Sequence, residues 1–123
     1  MKKFVNDVES LLAESLQGMA AAHSDLLALH LDPIYVTRKE PAKSKVALIS
    51  GGGAGHEPLH CGLIGKGMLD AACPGQVFTS PTPDQMLAAA SAVVPAPSSI
   101  RISASVSLRP SWRLMNAFVA CRD

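Results

Sequence analysis

No apolar run in this 123-residue chain approaches the ~20 residues needed to span a bilayer. No sign of charge prevails either. Eleven Lys and Arg stand against ten Asp and Glu, and aromatic residues make up only 4%. That balance argues against a nucleic acid or an anionic membrane as partner. Cysteine is scarce and odd in number: Cys61, Cys73 and Cys121 are widely spaced, with no metal-type pairing. A reduced, cytoplasmic protein is the expectation. The N-terminus opens basic with Lys2 and Lys3 but turns acidic at Asp7, too early for a signal peptide. The length suits one domain, which buries roughly two-thirds of its unfolded surface.

Two further absences divide the chain. No glycine follows Gly75, and no acidic residue lies between Asp84 and Asp123. Basic residues before Gln85 are nearly all lysine; after it they are Arg101, Arg109, Arg113 and Arg122. Residues 1–92 are therefore read as the domain and 93–123 as a tail of different character. One reading of the tail is a linker and an edge strand, because Ile100, Ile102, Ala104, Val106 and Leu108 alternate with Arg101, Ser103, Ser105 and Ser107. The other is translation of a GC-rich gene out of frame, which favours arginine, serine, proline and alanine. Alternation over one short window is slender evidence of selection, and the frame-shift reading is preferred.

What is present before the tail follows an α/β pattern. Val8, Leu11, Leu12, Leu16 and Met19 fall at helical spacing and predict an amphipathic helix over 4–22, with Asn6 and Glu9 as its cap. Residues 26–31 are too short and uniform to assign. Ile34 to Thr37 predicts a short strand after the Asp32-Pro33 turn. A continuous apolar run over 45–50 predicts a strand covered on both faces, as in a parallel sheet. A weak, glycine-interrupted helix is expected over 58–68, a turn over 71–75 and a strand over 76–79. A helix over 85–92 follows, with Thr82 or Ser80 as its cap. Strand, loop, helix, strand, helix places the chain in the α/β class.

The chemistry concentrates in Ser50-Gly51-Gly52-Gly53-Ala54-Gly55-His56-Glu57-Pro58. Glycines after a strand and proline before a helix predict a loop whose N–H groups meet an anion or a polar small molecule at a helix N-terminus. A Walker A loop requires Gly-Lys-Ser/Thr, and here His56-Glu57 follows Gly55. A dinucleotide fingerprint fails because its sixth position is His56. His56-Glu57-Pro58-Leu59-His60 matches the zinc-protease pattern in form, but the helix would begin inside the motif, so a zinc hydrolase is the weakest reading. What is left is a glycine loop presenting His56 to a small polar substrate, its imidazole kept neutral by the helix dipole and able to accept a hydroxyl proton. The alternative is a structural turn in which His56 is bonded internally.

The run from Lys45 to Pro58 resembles the signature of the dihydroxyacetone (glycerone) kinase substrate-binding subunit, in the bacterial form served by phosphoenolpyruvate and the phosphotransferase system. The resemblance extends through His60-Cys61-Gly62, Gly65 to Leu69, Ala72 to Gly75 and Phe78 to Asp84, and covers about residues 1–92. It implies the N-terminal part of that α/β domain, with an incomplete sheet and flanking helices. It implies dihydroxyacetone as substrate and a separate ADP- and Mg-carrying subunit as phosphoryl donor, with no cofactor or metal on this chain itself. Intact members form homodimers and work in the cytoplasm in glycerol catabolism. By position, Gly53, Ala54, Gly55 and His56 contact the substrate, with His56 as general base or hydrogen-bond partner of the reacting hydroxyl. The family usually carries serine where this chain has Ala54. Its downstream lysine and aspartate find no counterpart in 93–123, and its covalent histidine would lie further on. The chain therefore reads as a truncated or frame-shifted kinase subunit, inactive alone and of marginal stability. A non-catalytic module that docks the ADP-carrying subunit remains the alternative.

Overall fold

The computed structural model describes residues 3–40 and 46–94, together with the backbone of 102–103 and 118–121. Helix α1 (Leu11–Ala22) is followed by strands β1 (Leu27–Leu31), β2 (Ile34–Arg38) and β3 (Ala47–Ala54). A single 3-10 turn (Cys61–Leu63), strand β4 (Ala71–Val77), helix α2 (Pro83–Val93) and two short strands, β5 (Ile102–Ser103) and β6 (Phe118–Cys121), complete the order.

The six strands form one sheet in the order β1-β2-β4-β3-β6-β5. Only β3 and β4 run parallel; every other neighbouring pair is antiparallel. The α/β expectation holds, but the sheet is mixed. The free side of β3 is closed by 118–121, with Ala47 opposite Cys121 and Ile49 opposite Val119. Of the alternating window over 100–108, the described residues Ile102–Ser103 pair with β6 and not with β3. The remainder of that window lies outside the described residues.

Alternation along β4 sends its side chains to two layers. Ala71 and Cys73 pack with Ile49 beneath Met86, Ala89, Ala90 and Val93 of α2. Ala72 packs with Val36, Leu27 and Ile64 beneath Leu12 and Leu16 of α1. The helices thus cover opposite faces. Leu48 is nevertheless 42% exposed, so β3 is not covered on both faces along its whole length.

Several local expectations are corrected. Helix α1 starts at Leu11, not near Phe4, because the Asp7 carboxylate accepts the N–H groups of Glu9 and Ser10 and holds a turn there. Val8 is accordingly exposed, and the Asn6 side chain donates to Glu14 instead of capping. Residues 27–31 are a strand, closed into a hairpin with β2 across Asp32-Pro33. The expected turn over 71–75 is the body of β4. Small residues let it lie flat between β2 and β3, and Pro74 is tolerated because β2 pairs only with Ala71 and Ala72.

The amino ends of the parallel pair are clamped. Arg38 pairs with the buried Asp70 at 3.2 Å, and the Leu48 N–H donates to Asp70 Oδ2 at 2.9 Å. The carboxyl ends of β3 and β4 are left for the site.

Candidate functional site

Strand β3 carries the glycines that sequence reasoning placed in a loop. Gly51, Gly52 and Gly53 lie in extended register beside Cys73, Pro74 and Gly75, all buried. Each is needed for close packing. A β-carbon on Gly51 would come within 2.8 Å of the Cys73 carbonyl oxygen and 3.0 Å of Met86 Sδ. On Gly53 it would come within 2.7 Å of the Thr79 nitrogen. On Gly52 it would collide with the imidazole of His60. These glycines admit neighbours, and the anion-binding loop expected from them is not formed.

The chain turns only at Gly55, whose φ of +98° favours glycine. The Glu57 carboxylate accepts the Gly55 N–H from both oxygens, each at 3.1 Å. No helix follows: residues 57–60 are turns and Cys61–Leu63 is one 3-10 turn, shorter than the helix expected over 58–68. Gly62, Gly65 and Gly67 explain its brevity. His56 therefore has no helix dipole behind it.

The turn after β4 meets this loop at the carboxyl ends of the parallel strands, where α/β sheets place their ligands. The Phe78 N–H donates to the Ala54 carbonyl at 2.8 Å. Phe78 holds a left-handed φ of 53°, rare for an aromatic residue, and is 69% exposed. Its ring lies against Gly55 and meets His56 edge-on, with centroids 5.1 Å apart and planes at 75°. Of the predicted site residues, Gly53 and Ala54 are buried in β3, Gly55 is exposed and His56 is half-buried beside Phe78. Phe78 was not legible as a site residue, since nothing local predicts a left-handed phenylalanine.

His60 turns the other way. Its Nδ1 lies 2.9 Å from Ser50 Oγ, and both residues are buried. Burial, followed by the nearby His56, holds its pKa below the ordinary 6.5. The two histidines of the zinc-protease pattern thus share no helix, and one of them faces the interior. Among the described residues no cluster of three His, Cys, Asp or Glu side chains could hold a metal ion. A cavity of about 220 Å³ opens between α1 and the 57–62 segment, walled by Leu12, Leu16, Met19, Ala54, Pro58 and Leu59; His56 does not line it.

A family model described as the Dak1 domain matches residues 17–100. The chain is 62% identical over 87 residues to the PEP-dependent dihydroxyacetone kinase, dihydroxyacetone-binding subunit DhaK of Escherichia coli (strain K12), covering 70% of this chain and 24% of that protein. It is 47% identical over 85 residues to the PTS-dependent counterpart of Lactococcus lactis, covering 69% of this chain and 26% of that one. The crystal structure of the dihydroxyacetone kinase of C. freundii superposes with a TM-score of 0.70 at 45% identity, covering 76% of this chain and 18% of that chain. The chain thus spans about a quarter of the length of these two curated relatives. On these matches, the chain belongs to the Dak1 domain family.

Proposed function

We propose that this chain supplies one wall of a triose site: the part of a dihydroxyacetone-binding kinase subunit that presents His56 to the substrate hydroxyl. The observation that carries this reading is the 62% identity to a subunit named for binding dihydroxyacetone. The family match runs through the β3–loop junction where His56 and Gly55 are accessible. The imidazole of His56 accepts the hydroxyl proton as that oxygen attacks phosphorus, a step in which positioned acid–base groups typically contribute about 10²–10⁴-fold. The phosphoryl group comes from a separate ADP-carrying subunit. The setting is the cytoplasm, in glycerol catabolism.

Residues 93–123 hold no lysine, no histidine and one terminal aspartate, so the isolated chain offers few convergent groups. It is expected to show no turnover of dihydroxyacetone with its partners supplied; measurable phosphorylation would overturn that. The reading itself is tested by placing residues 1–92 of this chain in the Escherichia coli subunit and assaying PEP-dependent phosphorylation. The chimera is expected to work, and His56→Ala within it to lose about 10²-fold or more. A chimera indifferent to His56→Ala removes His56 from the chemistry.

A further inference from the structure

Between Ala54 and His60 the chain leaves the sheet and returns to it. The outer end of the excursion is fixed by the Gly55 N–H bonds to Glu57 and by the Phe78 N–H bond to Ala54. Its inner end is His60, which folds back onto β3 with its ring over Gly52 and Nδ1 at Ser50 Oγ. The Leu59 N–H donates to the His56 carbonyl at 3.1 Å, so the backbone of His56 is tied to the residue just before that anchor. The Leu63 N–H donates to the His60 carbonyl at 3.0 Å and extends the bracing.

We propose that the buried Ser50–His60 pair, seated on Gly52, is the positioning device that sets His56 against Phe78. This rests on the reading of His56 as the group that handles the substrate proton. A packing role alone would be filled by an apolar side chain. Burying a hydroxyl and an imidazole costs desolvation, and what their bond returns is a defined ring orientation. At 8% exposure for His60 and 1% for Ser50, the bond is shielded from water. A short loop transmits its anchor's displacement directly, and an error of about 1 Å at a reacting group can cost about 10²-fold.

The test is made on the 123-residue chain by NMR, with histidine and phenylalanine side chains labelled. The native chain is expected to give cross-peaks between the His56 and Phe78 rings. Ser50→Ala removes one oxygen and keeps the seat of the ring; it is expected to lose those cross-peaks and shift the His56 ring signals while the fold persists. His60→Leu should do the same. His60→Asn, whose amide can occupy the place of Nδ1, should restore them. Unchanged His56–Phe78 cross-peaks in Ser50→Ala overturn the proposal, even if His60→Leu fails to fold. Loss without rescue by His60→Asn also overturns it. Kinase activity of the chimera plays no part in this readout, so failure of the phosphorylation reading and failure of the positioning pair are told apart.

Discussion

At the scale of single residues, the glycines divide by what lies opposite them. A methyl on Gly52 meets the His60 ring, whereas one on Gly65 meets nothing within 4 Å, and the backbone of Gly65 is not left-handed. Gly52→Ala is therefore expected to destabilise by about 1–3 kcal/mol through overpacking. Gly65→Ala should stabilise by about 0.4–1 kcal/mol by narrowing the unfolded ensemble. Urea midpoints of the two variants check the pair, and equal effects would refute the packing account. Protonation gives a second prediction. Because burial and His56 depress the His60 pKa, the unfolded chain takes up that proton first. Its contribution to stability is full above about pH 6.5 and is lost as pH falls from there through the lowered folded value. The buried thiols act oppositely. Burial foremost, then the charge of Glu57 acting on Cys61 and that of Cys61 acting on Cys73, pushes both from 9.0 up to about 12. Unfolded thiolates then draw stability down above about pH 9. Denaturation midpoints between about pH 5 and pH 10 should trace a dome whose acid limb His60→Asn flattens.

At the scale of elements, α2 is the best-specified piece. Gln85 closes a capping box by accepting the Thr82 N–H at 2.8 Å. Its amide also donates to the carbonyls of Ile34 at 2.8 Å and Pro74 at 3.1 Å, joining the helix start to β2 and β4. Gln85→Ala should cost about 1–3 kcal/mol for the carbonyls it leaves unpaired, with about 1 kcal/mol more for the cap. Gln85→Glu keeps the acceptor and loses the donors, so its urea midpoint should fall between those of the native chain and Gln85→Ala. The capping half of this role is legible in Thr82-Pro83-Asp84-Gln85; the sheet-bridging half is not, because Ile34 lies far away in the chain. Strand β4 fails the local reading for a related reason. Ala71 to Gly75 has the composition of a turn, and only the neighbouring strands make it extended.

At the scale of the molecule, the sheet is asymmetric in what covers it. Leu48 on β3 and Val46 just before it, with Leu59 and Met68 elsewhere on the surface, are between 37% and 49% exposed. Such surface predicts marginal stability: a melting midpoint below about 50 °C by circular dichroism, at the low end of the mesophile range, with dye binding typical of exposed apolar surface. A cooperative melt above about 50 °C would count against it. Local chemistry was enough to determine α2, the core of α1 and strand β2, while the run from Lys45 to Pro58 marked the family by its resemblance. Helical periodicity, a capping box and β-branched composition act within a few residues, and so can be read from the chain. Whether Gly51 to Gly53 were loop or strand, whether His60 was a ligand or an anchor, and whether Phe78 reached His56 were decided by tertiary structure alone. The groups that settle those questions (the Cys73 carbonyl, Met86, Thr79 and Ser50) come from separate elements. They meet only when β3 and β4 pair and both helices close over them.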